Sequence, residues 1–176
     1  MMKVIAFAAS SSTTSINKQL VTYAVSHLPN AEVEVLDLND FELPLFSEDK
    51  EKVLGQPELA KAFLKKIHDA DAVVISFAEH NGSYSVAYKN LFDWCSRINP
   101  KVYLNKSVVL LATSPGPGGA KNVLAAASGS MPFFGAEVKA MVSIPNFYEN
   151  FDQERQVLSH PEFNSEVMSA VSLLVV

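Results

Sequence analysis

Cysteine is nearly absent. Cys95 is the single thiol of the chain, which excludes an intrachain disulfide and a multi-cysteine zinc site. Basic residues are also scarce: 14 Lys and Arg stand against 19 Asp and Glu, for a formal net charge of -5. They form no cluster of the kind that grips a nucleic-acid backbone. No apolar run approaches the ~20 residues of a membrane span. The start, Met1-Met2-Lys3 followed by a short apolar run, is too brief for a signal peptide's apolar core and cleavage site. These features predict a protein of the reducing cytoplasm that binds neither nucleic acid nor membrane. Neither G-x-G-x-x-G nor G-x-x-x-x-G-K-[ST] occurs, so the dinucleotide fingerprint and the phosphate-binding P-loop are both missing. There is no internal repeat and no low-complexity tract.

With 176 residues, 48% of them hydrophobic and 19% charged, the chain reads as one globular domain spanning 1–176, with a substantial core. Apolar runs alternate with helical patterns throughout. Strands are expected at 3–9, 32–38, 72–78, 107–113 and 137–144. Helices are expected at 15–28, 57–70, about 83 to Asn99-Pro100, 120–130 and 162–175. The first helix should bury Ile16, Leu20, Tyr23, Ala24 and His27, and the second Leu59, Phe63, Leu64 and Ile67. The third strand is apolar apart from Ser76, the mark of a central strand covered on both faces, whereas the mixed pattern of the second suits an edge. Residues 39–56 read as a long connector in which Leu43-Pro44-Leu45-Phe46 packs down while 48–52 stays wet.

Five strands with five helices imply an α/β three-layer sandwich around a parallel sheet, and the flavodoxin-like order 2-1-3-4-5 follows. Ligands in such sheets sit at the carboxyl ends of the strands, beside the point where strand order reverses. Three loops leave those ends. Ser10-Ser11-Ser12-Thr13-Thr14-Ser15 joins six hydroxyls to the start of a helix, where unpaired N–H groups and the dipole favour an anion. The same stretch also reads as a polar turn with Ser15 as plain N-cap. Ala78-Glu79-His80-Asn81-Gly82-Ser83 offers amides to the polar edge of a flat ligand, or else a common Asn-Gly turn before a helix capped by Ser83. Thr113-Ser114-Pro115-Gly116-Pro117-Gly118-Gly119 is stiff and lean enough to lie close to a ring.

The third helix carries a broad apolar arc of Tyr84, Ala87, Tyr88, Leu91, Phe92, Trp94, Cys95 and Ile98, opposed by Lys89, Asn90, Asp93 and Arg97. The arc exceeds the ~100° stripe of a surface helix, which points to a second subunit or to an aromatic-rich internal face. Cys95 inside it reads as inert packing. The aromatic stretch 146–151 suits either an overhang above a cofactor or an interface.

These loops, in this order, resemble the NADPH-dependent FMN reductase family, whose fold is flavodoxin-like. That family opens with G-S-x-R-x-x-S-x-N after its first strand. Here Ala9-Ser10-Ser11-Ser12-Thr13-Thr14-Ser15-Ile16-Asn17 keeps both serines and the asparagine, with Ala9 for the glycine and Ser12 for the arginine. The family's P-E-Y-N-x-S is Ala78-Glu79-His80-Asn81-Gly82-Ser83, and its K-N-x-x-D-W-x-S-R is complete as Lys89-Asn90-Leu91-Phe92-Asp93-Trp94-Cys95-Ser96-Arg97. The usual proline-glycine pair at the next helix start is Ser85-Val86, and the serine-plus-glycine loop is 114–119. The resemblance runs from Lys3 to about Ile144.

It implies an FMN held by Ser10, Ser12, Thr13, Thr14, Ser15, Ile16 and Asn17, by Ala78, Glu79, His80, Asn81, Gly82 and Ser83, and by Ser114, Pro115, Gly116, Gly118 and Gly119. NADPH or NADH would be the electron donor. The acceptor would be a quinone, a flavin, an azo dye or a nitro compound. No catalytic side chain and no metal would be needed. It further implies a homodimer or homotetramer built partly through helix 83–98. Losing the arginine removes a charge-assisted contact worth about 1.5–3 kcal/mol, which extra hydroxyls offset in part. A flavin-free binding or scaffold protein with altered cofactor loops is the alternative. A phosphoacceptor receiver on the same fold is excluded, because the strand ends that would carry its acidic cluster are Ala8-Ala9 and Ala78.

Overall fold

The computed structural model describes residues 1–175. Five strands, β1 (Met2–Ala9), β2 (Ala31–Leu36), β3 (Ala72–Phe77), β4 (Lys106–Thr113) and β5 (Ala136–Ile144), form one parallel sheet of order β2-β1-β3-β4-β5. Among the described residues, seven α-helices accompany them: α1 (Ile16–Val25), α2 (Glu48–Leu54), α3 (Glu58–Asp69), α4 (Val86–Ile98), α5 (Lys121–Ser130), the single turn α6 (Phe147–Asn150) and α7 (Pro161–Ser172). The flavodoxin-like expectation holds in strand order and in layer count.

Alternation along the strands divides the core in two. Ile5, Phe7, Val73, Ile75, Val108 and Leu110 face α3, α4 and α5. Val4, Ala6, Val74, Val109 and Leu111 face α1 and α7. All six residues of β3 are buried, as its apolar run requires. β2 lies at the edge, and only its last residue, Leu36, is buried.

Several boundaries differ from the sequence reading, each for a local reason. β2 stops at Leu36 because the next residues turn into a 3-10 helix, Leu38–Phe41, whose cap Asp37 accepts from the Asn39 amide. His27 lies outside the buried face of α1, its exposed ring set edge-on to Tyr23 at 4.6 Å. In α3 it is Ala60 that turns inward, and Leu59 stays 41% exposed. The expected start of the third helix at Ser83 is wrong: Ser83–Tyr84 pairs back on Glu79–His80 as a small hairpin. Asn81 and Gly82 form its tip with φ of 52° and 77°, the left-handed pair such a turn needs. The helix begins three residues later, and its cap is Ser85, not Ser83. The 145–161 loop holds α6 and a second small hairpin, Phe151–Asp152 with Val157–Leu158.

The 39–56 connector contains an unexpected helix, α2, capped by Ser47, with three acids in its first turn and Gly55 at φ 68° after its end. It remains on the surface, joined to α4 by Arg97 Nη2 to Glu51 Oε2 at 2.9 Å. Of the apolar patch before it, Leu43 and Phe46 pack down, whereas Pro44 and Leu45 are exposed. What holds the patch is Asn90. Its side chain accepts from the Phe46 amide at 2.8 Å and donates to the Leu43 and Pro44 carbonyls at 3.0 and 3.2 Å. Trp94 Nε1 donates to the Pro44 carbonyl at 2.8 Å, and its ring meets Phe46 edge-on. Asn90 therefore belongs to the buried side of α4, and the chain's own connector covers much of the arc that the sequence left open to a second subunit. Cys95 lies buried within that arc, its thiol pushed up to about 12 by burial, in keeping with inert packing.

Candidate functional site

β1 feeds α1 on one face of the sheet, whereas β3 feeds α4 on the other. The loops leaving these neighbouring strands therefore diverge, and a crevice opens between them at the carboxyl edge. It measures about 280 Å³. Its walls are Ser10, Ser12, Thr14, Ser15, Ile16 and Asn17 from the first loop, Ala78, Glu79 and His80 from the second, and Thr113, Ser114 and Pro115 from the third, with Tyr148 at its rim.

The first loop is a chain of hydroxyls folded onto its own backbone. Ser10 Oγ accepts from the Ser12 amide at 3.2 Å, Ser12 Oγ from the Thr14 amide at 3.3 Å, and Ser15 Oγ from the Lys18 amide at 3.1 Å. Among the described residues, the amides of Thr13, Ile16 and Asn17 find no acceptor, as expected at a helix start. Lys18 is turned away, with Nζ 2.5 Å from Asp37 Oδ2. That hydrogen bond, aided by the Asn39 amide, holds the Asp37 carboxyl below its usual range. Thr13 lies outside the crevice lining. Ser11 lines a separate groove beside Leu38 and Val86.

Asn17 is a structural pin. Buried at 3% exposure, it accepts from Ser76 Oγ at 2.7 Å and from the Thr113 amide at 3.1 Å, and it donates to the Thr113 carbonyl at 3.2 Å. One side chain thus locks the start of α1 to the ends of β3 and β4. Its backbone amide remains free for a ligand.

In the second loop the Glu79 carboxylate turns away to the start of α5, accepting from the Val123 amide at 2.9 Å and from Asn122 Nδ2 at 3.3 Å. That helix has no cap of its own, since Ala120 before it is left-handed with φ 56°. Glu79 supplies the missing acceptor, and the dipole favours its charge there. The hairpin is thereby anchored, with the exposed His80 beside the crevice. Asn81, Gly82 and Ser83 shape the hairpin and do not line the crevice. Ser85 completes the anchorage by donating to the Ala9 carbonyl at 2.8 Å while capping α4.

In the third loop Thr113 Oγ1 donates to the Ile144 carbonyl at 2.7 Å, and Ser114 Oγ to the Gly116 carbonyl at 3.1 Å. The Ser114 and Gly116 carbonyls accept from the Phe147 and Asn146 amides, both at 3.0 Å. These bonds bring α6 beside the crevice and place Tyr148, 60% exposed, on its rim. Gly116, Gly118 and Gly119 lie outside the lining. Gly119 serves packing instead: its φ is +59°, and a Cβ there would stand 2.3 Å from Ser143 Oγ.

Eleven of the eighteen sequence-predicted residues meet in one crevice. Thr113, the first residue of the third loop, and Tyr148, from the aromatic stretch 146–151, join them although neither was among the eighteen. The aromatic run after the fifth strand was the one signal for Tyr148, and it was equally compatible with an interface. The donor set fits a phosphate ester carrying a flat ring: hydroxyls and free amides at the start of α1, two rigid loops beyond, and an exposed aromatic. No cluster of three or more His, Cys, Asp or Glu suited to a metal occurs among the described residues. Among them, too, no helix is long and apolar enough to cross a membrane.

Asn17→Ala leaves the Ser76 hydroxyl and the Thr113 amide without their buried acceptor. Urea denaturation should show a loss of about 1–3 kcal/mol, whereas an unchanged midpoint would mean that the pin carries no weight.

A sequence model of a family described as NADPH-dependent FMN reductase matches residues 2–149. An NADPH:quinone oxidoreductase of Arabidopsis thaliana is 31% identical over 126 residues, covering 69% of this chain and 63% of that protein. A 2-hydroxy-1,4-benzoquinone reductase of a Burkholderia species is 36% identical over 104 residues, covering 58% of this chain and 55% of that one. The match thus spans somewhat over half the length of each. Among solved structures, the flavoenzyme NAD(P)H:(acceptor) oxidoreductase FerB of Paracoccus denitrificans superposes with a TM-score of 0.77 at 23% identity, over 99% of this chain and 96% of that one. That likeness concerns the fold.

Proposed function

The chain belongs to the NADPH-dependent FMN reductase family, and from that premise we propose that it passes electrons from NADPH or NADH by way of FMN to a small acceptor. The observation that carries the reading is the meeting of three strand-end loops in a crevice whose first-loop end is built of hydroxyls and free amides. Two relatives named for quinone reduction make quinones the first acceptor class to test, ahead of flavins, azo dyes and nitro compounds.

FMN, when bound in this crevice, would supply the redox chemistry between the nicotinamide and the acceptor. The side chains do the positioning. Ser12, Thr14 and Ser15 with the amides of Ile16 and Asn17 would hold the phosphate, while Ser10 and Thr13 shape their turn. The Ala78-Glu79-His80 backbone borders the ring, with Asn81, Gly82 and Ser83 keeping its hairpin in shape. Thr113, Ser114 and Pro115 form the opposite wall, steadied by the turn at Gly116, Gly118 and Gly119. Tyr148 screens the rim from water. No serine, cysteine or lysine nucleophile is called on, and Cys95 lies buried away from the crevice.

The reaction belongs in the cytoplasm on this reading, where reduced nicotinamide nucleotides and a free thiol are both at home. A second copy would pack along the part of α4 that the connector leaves open. Tyr84, Tyr88, Phe92, Met131 and Phe134 line an apolar groove of about 260 Å³ there, beside Phe133, which is 76% exposed.

Adding FMN to the purified chain should perturb the flavin absorption spectrum and saturate, and menadione should then accelerate NADPH or NADH oxidation. A colourless protein that leaves the FMN spectrum unchanged would contradict this reading and favour the scaffold alternative. Sedimentation should find a dimer or tetramer, converted to monomer by Phe133→Asp. A monomeric parent chain would remove the oligomer proposal.

A further inference from the structure

The phosphate end of the crevice is neutral. Hydroxyls and amides form it, and the ionisable side chains elsewhere in the lining are Glu79, His80 and Tyr148. Lys18, the lysine nearest in sequence, is committed to Asp37. The donors are also partly engaged already, because Ser10 and Ser12 hydroxyls hold the Ser12 and Thr14 amides. An entering phosphate therefore displaces the bonds that the Ser12 and Thr14 amides already make, which offsets part of its charge-assisted gain. What it gains outright is the free amides and the positive end of the α1 dipole. Ser12, Thr13 and Thr14 are exposed, where solvent and salt weaken that gain.

The ring end is built differently. Glu79 anchors the second loop to α5, Ser85 ties the start of α4 to the end of β1, and Asn17 and Ile144 fix Thr113. These are largely buried bonds between elements, so the walls facing the ring are preorganised whether or not a phosphate is present. Recognition weighted in this way follows the part of the molecule that all flavins share.

Resting on the flavin reading above, we infer that the crevice selects for the flavin ring and hardly for its phosphate ester, so that riboflavin is bound and reduced alongside FMN. The chemistry asks nothing of the ester. The C4–H bond of the dihydronicotinamide breaks and its hydride forms the N5–H bond of the flavin. A proton from water completes the dihydroflavin, and the nicotinamide is left oxidised.

The test is parallel titration of the full chain with riboflavin and with FMN, followed by flavin fluorescence at low and high salt, in the parent and in Ser12→Arg. The parent should bind FMN within about tenfold of riboflavin, with a change of less than about threefold across the salt range. Ser12→Arg should raise the preference for FMN over riboflavin by about tenfold or more and make FMN binding salt-sensitive. Reduction of riboflavin by NADPH should proceed at a rate comparable to that of FMN. A parent chain that prefers FMN by more than about a hundredfold, or that carries one FMN through purification, overturns this inference and leaves the flavin reading intact. So does a Ser12→Arg chain that tightens both flavins equally. Binding of neither flavin overturns both.

Discussion

A buried carboxamide, that of Asn17, holds the crevice open in a fixed shape. It accepts from Ser76 and from the Thr113 amide and returns a donor to the Thr113 carbonyl. The start of α1, which the ladder of the sheet does not hold, is thereby set in one position against the paired ends of β3 and β4. An apolar side chain of similar size would bury as well, but it would strand the Ser76 hydroxyl inside the sheet. Ser76 interrupts an otherwise apolar central strand, and its partnership with Asn17 explains why a hydroxyl is tolerated there.

The same device recurs around the crevice. Ser85 reaches the Ala9 carbonyl, Glu79 the Val123 amide and Thr113 the Ile144 carbonyl. Each is a side chain from one loop bonded to the backbone of a different element. Bonds of this kind are demanding, because a small displacement leaves a buried polar group unpaired. They make the walls rigid at some expense in alternative conformations. The first loop is the exception: its hydroxyls bond to backbone within the loop itself, and much of it is exposed. The crevice thus combines rigid second and third walls with a softer, neutral first loop.

Much of this was legible in the residues, and what escaped did so for identifiable reasons. The apolar run of β3 and the mixed run of β2 announce a centre and an edge, because burial on two faces leaves no room for alternation. The three strand-end loops could be named because strand order determines which loops become neighbours. Asn90 was misplaced because helical periodicity reports only which residues share a face, and a polar residue counts as solvent-facing until its partners are known. Its partners are backbone groups of Leu43, Pro44 and Phe46, more than forty positions away. The target of Glu79 was hidden in the same way, since the need for it arises at Ala120, where α5 lacks a cap. α2 was overlooked although Ser47 and Gly55 flank it, because nothing in it is buried and so no apolar stripe marks it. The glycines of the third loop were assigned to a ligand, whereas Gly119 answers to Ser143.

On the flavin reading, neutral donors at the start of α1 receive the phosphate. Amide chemical shifts of the isotopically labelled chain, recorded while FMN is added, test it most directly. The Ile16 and Asn17 amides should move downfield with FMN and far less with riboflavin, as free N–H groups acquire an anionic acceptor. If FMN binds and those two amides stay where they were, the phosphate lies elsewhere and the claim fails.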